Sequence, residues 1–546
     1  SSSASRDSPS PNLVSSLRTS HALASMRRLT QQILLLLGAC AHAGVRNVLQ
    51  TWGSAESGQT AHGTLADSWT PRTVRQLQGT APIQIAFGYQ HGLALSFAQE
   101  VYSWGCATWG ALGRVYNFTQ FGVDETYMPT PQLVFDLQGY RVREVYAGGW
   151  HSAVRLENGN VMTWGFNKYG QLGHGTYETE WTPRVVHELV SRAPQTVALG
   201  RYHSGAVDYQ GDLWMWGSNA YGQCGLGNNT PAAPTPRLLD KMQGAGVLQL
   251  AFGCGHSLAL LRNGSVLAWG RNERRQLGLG PKAPAAVPFP VEVRLLREEE
   301  IVQVATSCVG SVAVHRNGSL LFWGANDDGQ AAIGRTKDIH TPIVPPVFQP
   351  NEQGGDGVRF EDVALGRRHT LAMVRKTHEV YAWGFGERGS LGLGDASNRT
   401  SPMLVKDVDR LGVRKIAAGW YTSAAIIDLE YIDPALRWQR YPPEPWVRTG
   451  NVMPSGRMQT LRYADQDKYQ QMVAKNAQIG QFAQKMVMKL PGCSGAAAAG
   501  DGADGGSGCT PETEVEVKPF RLRVWRGKNQ DYTPGVPWGT ATAAAT

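Results

Sequence analysis

Seven copies of the dipeptide Trp-Gly follow one another in this sequence at a nearly constant interval, and two further copies, at Trp109 and Trp538, lie outside the series. Consecutive copies of the series are separated by 52, 60, 52, 53, 54 and 60 residues. A fixed period of this length is typical of chains built from stacked copies of one supersecondary unit. We therefore assign the seven tryptophans a structural role in packing between repeats: Trp52, Trp104, Trp164, Trp216, Trp269, Trp323 and Trp383.

Each repeat carries the signals of short strands joined by tight turns. A Gly-x-x-His motif precedes the Trp-Gly dipeptide, and Gly-x-Leu-Gly or a relative follows it. Between them the best copies place Asn-Gly between two strand-forming runs, as at Asn158-Gly159, which favours a hairpin with a type I′ turn. A period above 50 residues that holds about four strands predicts a propeller blade, so the predicted fold class is all-β.

The order of the half-motifs predicts how the ring closes. The first Trp-Gly, at Trp52, has no Gly-x-x-His before it, and the last Gly-x-x-His-like segment, 419–423, has no Trp-Gly within one repeat length after it. Six complete units lie between these halves. If the halves join, the ring has seven blades, and strands near 45–52 share a blade with strands near 412–428. Such closure would hide two sheet edges that would otherwise be exposed.

The combined pattern, Gly-x-x-His-Ser…Asn-Gly…Trp-Gly-x-Asn-x-x-Gly-Gln-Leu-Gly, is clearest in residues 148–175. It closely resembles the regulator of chromosome condensation repeat, and the resemblance covers about 44–428. This implies a seven-bladed β-propeller, and the composition of the ends favours a mitochondrial-type member of the family. We divide the chain into an N-terminal extension (1–43), the propeller (44–428) and a C-terminal extension (429–546).

The histidines of the Gly-x-x-His motifs are also assigned a structural role. Equivalent positions around a ring lie far apart, so they are not expected to converge on a metal ion or a substrate. We expect buried imidazoles that bond to the neighbouring backbone, and we predict no catalytic residue, no cofactor and no metal site. Two copies are degenerate, with Ser307 and Gly310 in one and Thr422 in the other. The five histidines are His91, His151, His203, His256 and His369.

A light-sensing tryptophan cluster is an alternative role for part of the tryptophan set. Plant ultraviolet-B sensing by a propeller of similar fold uses Gly-Trp-Arg-His-Thr segments. Only Trp150 and Trp420 come near that pattern, and arginine is absent from both segments. Photoreception is therefore not expected.

The cysteines give little sign of cross-linking. The chain has seven of them, an odd number, and none forms a Cys-x-x-Cys pair. This argues against a disulfide framework and against a zinc site, so a reducing compartment is expected.

The N-terminal extension is basic and rich in serine. Residues 1–43 hold four arginines and one acidic residue, a composition typical of organellar targeting segments. The apolar run within residues 26–43 is too short to span a bilayer, so the chain is not expected to be transmembrane. We expect this run to be a docking helix, with an uncleaved secretory signal as the alternative.

The C-terminal extension is expected to contain four parts. A strap rich in proline and tryptophan (431–461) precedes a helix over 463–490, which has one apolar face. A linker rich in glycine and alanine (492–508) and a basic end follow. The basic residues near the helix end and at the terminus are candidate partner-binding residues: Lys485, Lys489, Arg521, Arg523, Arg526 and Lys528.

These features favour a non-enzymatic scaffold subunit of a large organellar assembly. The best specific hypothesis is the mitochondrial ribosome or its assembly machinery, with protein subunits and ribosomal RNA bound by the terminal extensions and no small-molecule substrate. An accessory role in a respiratory-chain complex is an alternative. The family resemblance also implies guanine-nucleotide exchange on a small GTPase, but the inserts at 114–130, 281–299 and 335–358 show no distinct acidic cluster for it.

Overall fold

The computed structural model describes residues 47–115, 126–227, 230–349 and 358–430, together with 488–489 and 514–515. The first half of the propeller contains strands β1 (Asn47–Gly53), β2 (Ser68–Thr73), β3 (Pro82–Phe87), β4 (His91–Ser96), β5 (Val101–Cys106), β6 (Tyr127–Leu133), β7 (Val142–Ala147), β8 (His151–Leu156), β9 (Val161–Gly165), β10 (Glu180–Val185), β11 (Thr196–Leu199), β12 (His203–Val207), β13 (Leu213–Ser218) and β14 (Ala232–Leu238). The second half contains β15 (Val247–Phe252), β16 (His256–Leu261), β17 (Val266–Arg271), β18 (Ala286–Glu292), β19 (Ile301–Thr306), β20 (Gly310–His315), β21 (Leu320–Gly324), β22 (Ile339–Ile343), β23 (Phe360–Leu365), β24 (His369–Val374), β25 (Val380–Gly384), β26 (Arg399–Leu404), β27 (Val413–Ala418) and β28 (Thr422–Asp428).

A short 3₁₀ helix follows the outermost strand of each blade. These helices are Arg75–Leu77, Phe135–Leu137, His187–Arg192, Asp240–Met242, Arg294–Leu296, Pro346–Phe348 and Lys406–Val408.

The strands form seven four-stranded antiparallel sheets. In six of the sheets the four strands follow chain order, from β3-β4-β5-β6 to β23-β24-β25-β26. The first strands of neighbouring sheets contact one another around the ring, so each sheet is a blade with its first strand at the axis. The fold is an all-β, seven-bladed propeller, as the repeat predicts.

The remaining blade joins the two ends of the ring. Its strand order is β2-β1-β28-β27, and β1 pairs with β28 from Asn47 opposite Asp428 to Gly53 opposite Thr422. The predicted closure by the N- and C-terminal half-repeats is confirmed. Blade 1 is this composite sheet, and blades 2 to 7 follow in chain order.

The hairpin turns differ from the predicted type I′ geometry. Gly159 has φ 84°, but Asn158 is absent from the residues with positive φ, and the amide of Gly159 donates to the carbonyl of Leu156. These features fit a three-residue loop, a type I turn followed by a glycine in the left-handed region. The prediction of a hairpin was right and its turn type was wrong, because Asn-Gly serves both geometries.

The core lies between blades as well as within them. Trp164 of blade 3 packs in one buried cluster with Leu93 and Leu95 of blade 2. The second strands, such as β8 and β16, are buried at all six residues because neighbouring blades cover both of their faces. This explains why they read as continuous apolar or small-residue runs.

The tail is described only in part. Contacts divide the chain into two units, Ser1–Pro442 and Pro443–Thr546. In the second unit, Met488–Lys489 pairs antiparallel with Glu514–Val515. The predicted helix over 463–490 stays a prediction, since Met488 and Lys489 are its only described residues. The rest of that helix, the strap, the linker and the N-terminal extension lie outside the described residues.

Within the described ranges, no helix has the length and apolar character that a membrane crossing requires.

Candidate functional site

Neighbouring blades are joined through a carbonyl group that two side chains share. The Trp164 indole N–H donates to the carbonyl of Ala111 at 2.9 Å, and the Ser152 hydroxyl donates to the same oxygen at 2.8 Å. Ala111 belongs to the blade before the one that holds Trp164 and Ser152. The indole donors and their acceptor carbonyls are Trp52 to Ser390, Trp104 to Gln59, Trp164 to Ala111, Trp216 to Gln171, Trp269 to Gln223, Trp323 to Gln276 and Trp383 to Gln330.

The repeated histidines lie at the same junctions. His203 Nε2 is 3.0 Å from the Ser257 hydroxyl of the next blade, and His369 Nε2 is 2.9 Å from Ser423 across the ring closure. The sequence suggested the neighbouring backbone as the partner, whereas the structure places a side chain of the next blade there. The other pairs are His91 with Ser152, His151 with Ser204 and His256 with Ser311.

The hydrogen-bond pattern assigns the tautomer of these histidines. The Ser257 hydroxyl donates its proton to the carbonyl of Gln223, so it accepts from His203, whose Nε2 must carry the ring proton. Burial lowers the pKa of His203 to about 3, with a further contribution from His256 and His151. The imidazole is neutral at pH 7 and is engaged by its neighbour, so it is not a base available to a substrate.

In the two degenerate copies of the motif, the residues around the missing histidine differ from those of the other blades as well. Blade 1 has Thr422 at the histidine position, and blade 2 has Gly92 where other blades supply the hydroxyl; a Cβ on Gly92 would lie 2.5 Å from the Trp104 ring. Blade 6 has Gly310 at the histidine position, and there Ser307 Oγ accepts a bond from the Gly310 amide at 2.8 Å. Both differences from the consensus therefore have a local packing reason.

A different position of the same motif converges on the propeller axis. The residue that follows the first glycine of each Gly-x-x-His turn lines a cavity of about 200 Å³ at the mouth of the central channel. We call this space the mouth cavity. The expectation that equivalent positions lie too far apart to form one site is therefore wrong for this position, because it lies on the innermost turn. The seven residues are Tyr89, Gly149, Arg201, Cys254, Cys308, Arg367 and Trp420.

Two of these residues form a disulfide bond that the sequence analysis argued against. Cys254 and Cys308 belong to blades 5 and 6, and their Cα atoms are 4.4 Å apart. Their separation of 54 residues is one repeat, so the fold brings equivalent positions of adjacent blades together where the ring is narrowest. Tyr89, from blade 2, donates its hydroxyl proton to Cys254 Sγ at 2.8 Å and so crosses the mouth.

Aromatic rings extend from the mouth across the same end of the propeller. Tyr89 lies 3.6 Å from Trp420 and 4.9 Å from Trp150 between ring centroids, and Trp150 lies 5.7 Å from Tyr202. These rings and the arginines among them form one surface, which we call the aromatic–arginine face. It comprises Tyr89, Trp109, Trp150, Phe166, Tyr169, Arg201, Tyr202, Arg367, Arg368, Phe385, Trp420 and Tyr421.

The arginines near this face have two kinds of partner. Arg201 stands over the rings of Tyr202 (4.9 Å) and Tyr89 (5.5 Å), and Arg367 over Trp420 (4.3 Å). By contrast, Arg368 pairs with the carboxylate of Asp328 at 2.5 Å. Burial raises the pKa of Asp328, and Arg368 opposes that effect. The mouth arginines therefore stack on aromatic rings, while Arg368, the next residue along the chain, is neutralised by an acid.

The predicted partner-binding residues belong to the C-terminal extension, of which the structure describes only two short strands. Lys489 is in the short strand pair, and the other five are outside the described part of the chain. Among the residues that the structure describes, no group of three or more His, Cys, Asp or Glu side chains is arranged to hold a metal ion.

Known sequences share this architecture. Residues 37–292 match the RCC1-like domain, and residues 317–373 and 377–426 match the regulator of chromosome condensation (RCC1) repeat. Ultraviolet-B receptor UVR8 of Arabidopsis thaliana is 28% identical over 434 residues, which cover 78% of this chain and 93% of the receptor. E3 ubiquitin-protein ligase HERC2 of Homo sapiens is 31% identical over 328 residues, which cover 59% of this chain but only 6% of the ligase.

Solved structures show the same fold at lower sequence identity. Human WBSCR16 superposes with a TM-score of 0.61 at 22% identity, covering 70% of this chain and 99% of that one. Prp20p of Saccharomyces cerevisiae, which has been studied for its binding to Gsp1p and histones, gives 0.61 at 22% identity over 72% of this chain and 94% of its own.

The buried histidines make stability depend on pH. The pKa of His203 is about 3 in the folded chain and 6.5 unperturbed, so the unfolded chain binds more protons between those values. The free energy of unfolding therefore falls as pH drops from about 6.5 towards 3. His203→Gln keeps an N–H donor for Ser257 but does not titrate, so urea unfolding should show a slope shallower than wild type by up to about 1.4 kcal/mol per pH unit. Equal slopes for variant and wild type would contradict the assignment.

The disulfide should stabilise the folded chain under oxidising conditions. Its 54-residue separation corresponds to about 4 kcal/mol of lost entropy in the unfolded chain. We expect the Cys254→Ser/Cys308→Ser variant to unfold at lower denaturant than oxidised wild type, and a reductant to remove most of that difference. Cys224→Ser is the matched control, since Cys224 is a buried free thiol. Indifference of the wild-type midpoint to reductant would show that the bond does not form.

Proposed function

This chain belongs to the RCC1 repeat family, and from that premise we propose that it is a non-enzymatic propeller that binds a protein partner through the aromatic–arginine face. The observation that carries the proposal is the continuity of that face. Its rings contact one another from Trp109 through Phe166 and Trp150 to Trp420, and they are half-buried rather than packed inside a blade.

The composition of the face suits protein recognition. Tryptophan, tyrosine and arginine are the residue types most enriched at protein–protein interfaces and among the residues that dominate binding energy. Cation–π contacts hold Arg201 and Arg367 against rings of the face, which lowers the entropy that they would lose on binding. A rigid platform of this kind requires little rearrangement when a partner docks.

A non-enzymatic role agrees with the state of the repeated polar groups. Burial lowers the pKa of His91 to about 4 and that of His151, His256 and His369 to about 3. Each of these imidazoles forms a hydrogen bond with a hydroxyl of the next blade. The histidines of the Gly-x-x-His motif, which are the residue type most often found in catalysis, therefore join neighbouring blades.

A second candidate function is nucleotide exchange on a small GTPase. The fold likeness to Prp20p, which binds Gsp1p, supports this candidate. In that case the partner of the aromatic–arginine face is the GTPase itself. The mitochondrial location, the ribosomal or respiratory-chain assembly and contact with RNA stay predictions from the sequence, since the terminal extensions behind them lie outside the described residues.

Substitution on the face should remove the partner without unfolding the propeller. We expect Trp150→Ala with Tyr202→Ser to reduce the main proteins that co-purify with tagged full-length chain at least tenfold, measured by quantitative mass spectrometry. Tyr209→Ser is the control, because Tyr209 is 57% exposed on a hairpin at the opposite end of its blade. An unchanged set of partners for the face variant, with its thermal midpoint near that of wild type, would refute the proposal.

A nucleotide-release assay separates the two candidates. Wild-type chain that accelerates GDP release from a small GTPase such as Gsp1p, with loss of that effect in the face variant, would establish exchange. If the wild-type chain does not accelerate GDP release and the face variant still loses its partners, the binding role is supported and the exchange activity is refuted.

A further inference from the structure

The disulfide bond lies within reach of solvent. Cys254 and Cys308 are half-buried, and both line the mouth cavity at one end of the propeller. The other two cysteines that the structure describes, Cys106 and Cys224, are buried free thiols. Burial raises the pKa of the Cys224 thiol, so little of the reactive thiolate forms there. Among the described cysteines, the pair at the mouth is therefore the one suited to exchange with an external thiol.

The turn that carries Cys308 lacks the usual link to the following blade. In five blades a histidine at the end of this turn forms a hydrogen bond with a hydroxyl of the next blade, as His256 does with Ser311. Blade 6 has Gly310 at that position, and the Gly310 amide donates to the Ser307 hydroxyl of its own turn at 2.8 Å. The histidine that would hold the Cys308 turn to blade 7 is therefore missing.

The backbone bond between the two cysteine turns is long. The Cys254 amide donates to the Cys308 carbonyl at 3.4 Å, whereas the Tyr89 amide donates to the Gly149 carbonyl at 3.0 Å at the equivalent junction of blades 2 and 3. Backbone hydrogen bonds usually span about 2.7–3.2 Å. The S–S bond is therefore the strongest link that the Cys308 turn has to a neighbouring blade, and the position of the turn depends on it.

Tyr89 favours one direction of exchange at this disulfide. In thiol–disulfide exchange a thiolate attacks one sulfur atom, and the other sulfur leaves as a thiolate. The Tyr89 hydroxyl donates to Cys254 Sγ at 2.8 Å, and a donor at this position stabilises negative charge on that sulfur. Cys254 is therefore the better leaving group, and attack falls on Cys308.

The same tyrosine lies within the aromatic–arginine face. The centroid of the Tyr89 ring is 3.6 Å from that of Trp420 and 4.9 Å from that of Trp150. When the S–S bond breaks, the sulfur atoms of Cys254 and Cys308 move from bonding distance to van der Waals contact, so the acceptor of the Tyr89 hydroxyl shifts. A change of redox state at the mouth therefore reaches rings of the face.

We propose that Cys254 and Cys308 form a thiol–disulfide exchange site, which controls the binding of a protein partner on the aromatic–arginine face. The co-reactant is a thiol or dithiol, such as glutathione or a protein with a Cys-x-x-Cys motif. The disulfide form holds Tyr89 in place and binds the partner, and the dithiol form binds it more weakly. The inference rests on the proposed function, because it names the regulation of that same face.

The exchange is a two-electron reduction in two steps. The thiolate of the reductant forms a bond to Cys308 Sγ, while the S–S bond breaks and its electron pair passes to Cys254 Sγ, which then takes up a proton. A second thiolate of the reductant displaces Cys308 from the mixed disulfide, and that sulfur is protonated in turn. The reductant leaves as a disulfide and the chain holds two thiols. A disulfide reagent reverses both steps.

The first test maps the exchange on folded, full-length chain. Glutathione is added to the oxidised chain, the reaction is quenched with acid, and the adducts are located by peptide mass spectrometry. The early adduct should lie on Cys308, and Tyr89→Phe should react about tenfold more slowly, because it removes the donor to the leaving thiolate. An early adduct on Cys254, or no reaction in the absence of denaturant, would overturn the inference.

Two matched controls accompany this experiment. Tyr209→Phe removes the hydroxyl of an exposed tyrosine at the opposite end of its blade and should react at the wild-type rate. Cys224→Ser removes a buried free thiol and should leave both the adduct and the rate unchanged. A rate for Tyr89→Phe equal to that of Tyr209→Phe would show that Tyr89 does not act on the leaving sulfur and would contradict the assigned direction of attack.

The second test compares partner binding in the two redox states. Tagged full-length chain is oxidised with glutathione disulfide or reduced with glutathione, and the co-purifying proteins are quantified below the thermal midpoint of the reduced chain, so that every form is folded. Reduction should lower their amount at least about fivefold. Cys254→Ser/Cys308→Ser should show the low amount under both conditions. Equal amounts for oxidised and reduced wild type, or a response to glutathione that persists in the double variant, would refute the inference.

The outcome can be separated from that of the proposed function. If Trp150→Ala/Tyr202→Ser loses its cellular partners while wild type binds them equally in both redox states, the face is an interface and the exchange site does not control it. If reduction releases the partners of wild type while the face variant keeps its own under oxidising conditions, the exchange site controls binding and the proposed use of the face is refuted.

Discussion

The ring depends on one backbone oxygen at each junction between blades. The carbonyl of Gln171 accepts the Trp216 indole N–H and the Ser204 hydroxyl, both at 2.8 Å, and His151 donates to that hydroxyl. The buried carbonyl has two donors and the buried hydroxyl both donates and accepts, so each of these two oxygens is hydrogen-bonded. The geometry forms only when adjacent blades are in register, so it couples blade packing to the order of the ring.

The closure of the ring uses the same interaction. Trp52, near one end of the propeller chain, and Ser423, near the other, both donate to the carbonyl of Ser390. The β1–β28 pairing supplies the backbone part of this closure. The first and last blades are therefore joined by the same contacts as the blade pairs that keep the histidine and the serine.

The sequence predicted the features that depend on residues repeated in every blade, and it did not predict those that depend on residues that differ from blade to blade. Trp52, Gly419 and the five histidines recur in register, so the blade count and the closure could be read from their spacing. The mouth residues Tyr89, Arg201, Cys254 and Trp420 occupy one position but share no chemistry, and a search for repeated residues passes over them. The disulfide had a signal, a cysteine separation of one repeat, that becomes informative only when that position is known to face the axis.

This division also separates the residues that hold the ring together from those that we propose to bind a partner. The repeated residues are buried and hold the blades together, while the variable residues line the mouth and the aromatic–arginine face. A propeller of this type can change its ligand by changing the innermost turns and leave the junctions untouched. The chain departs from the consensus at junctions only where the neighbouring residue compensates, as at Thr422 with Gly92.

A double-mutant cycle on one junction tests this account most directly. The unfolding free energies of His203→Ala, Ser257→Ala and the double variant give the coupling between the two side chains. The account predicts a coupling of about 1 kcal/mol or more, because each residue satisfies the other in a buried site. Additive effects, within about 0.3 kcal/mol, would show that the histidine and the serine do not act together and would contradict the account.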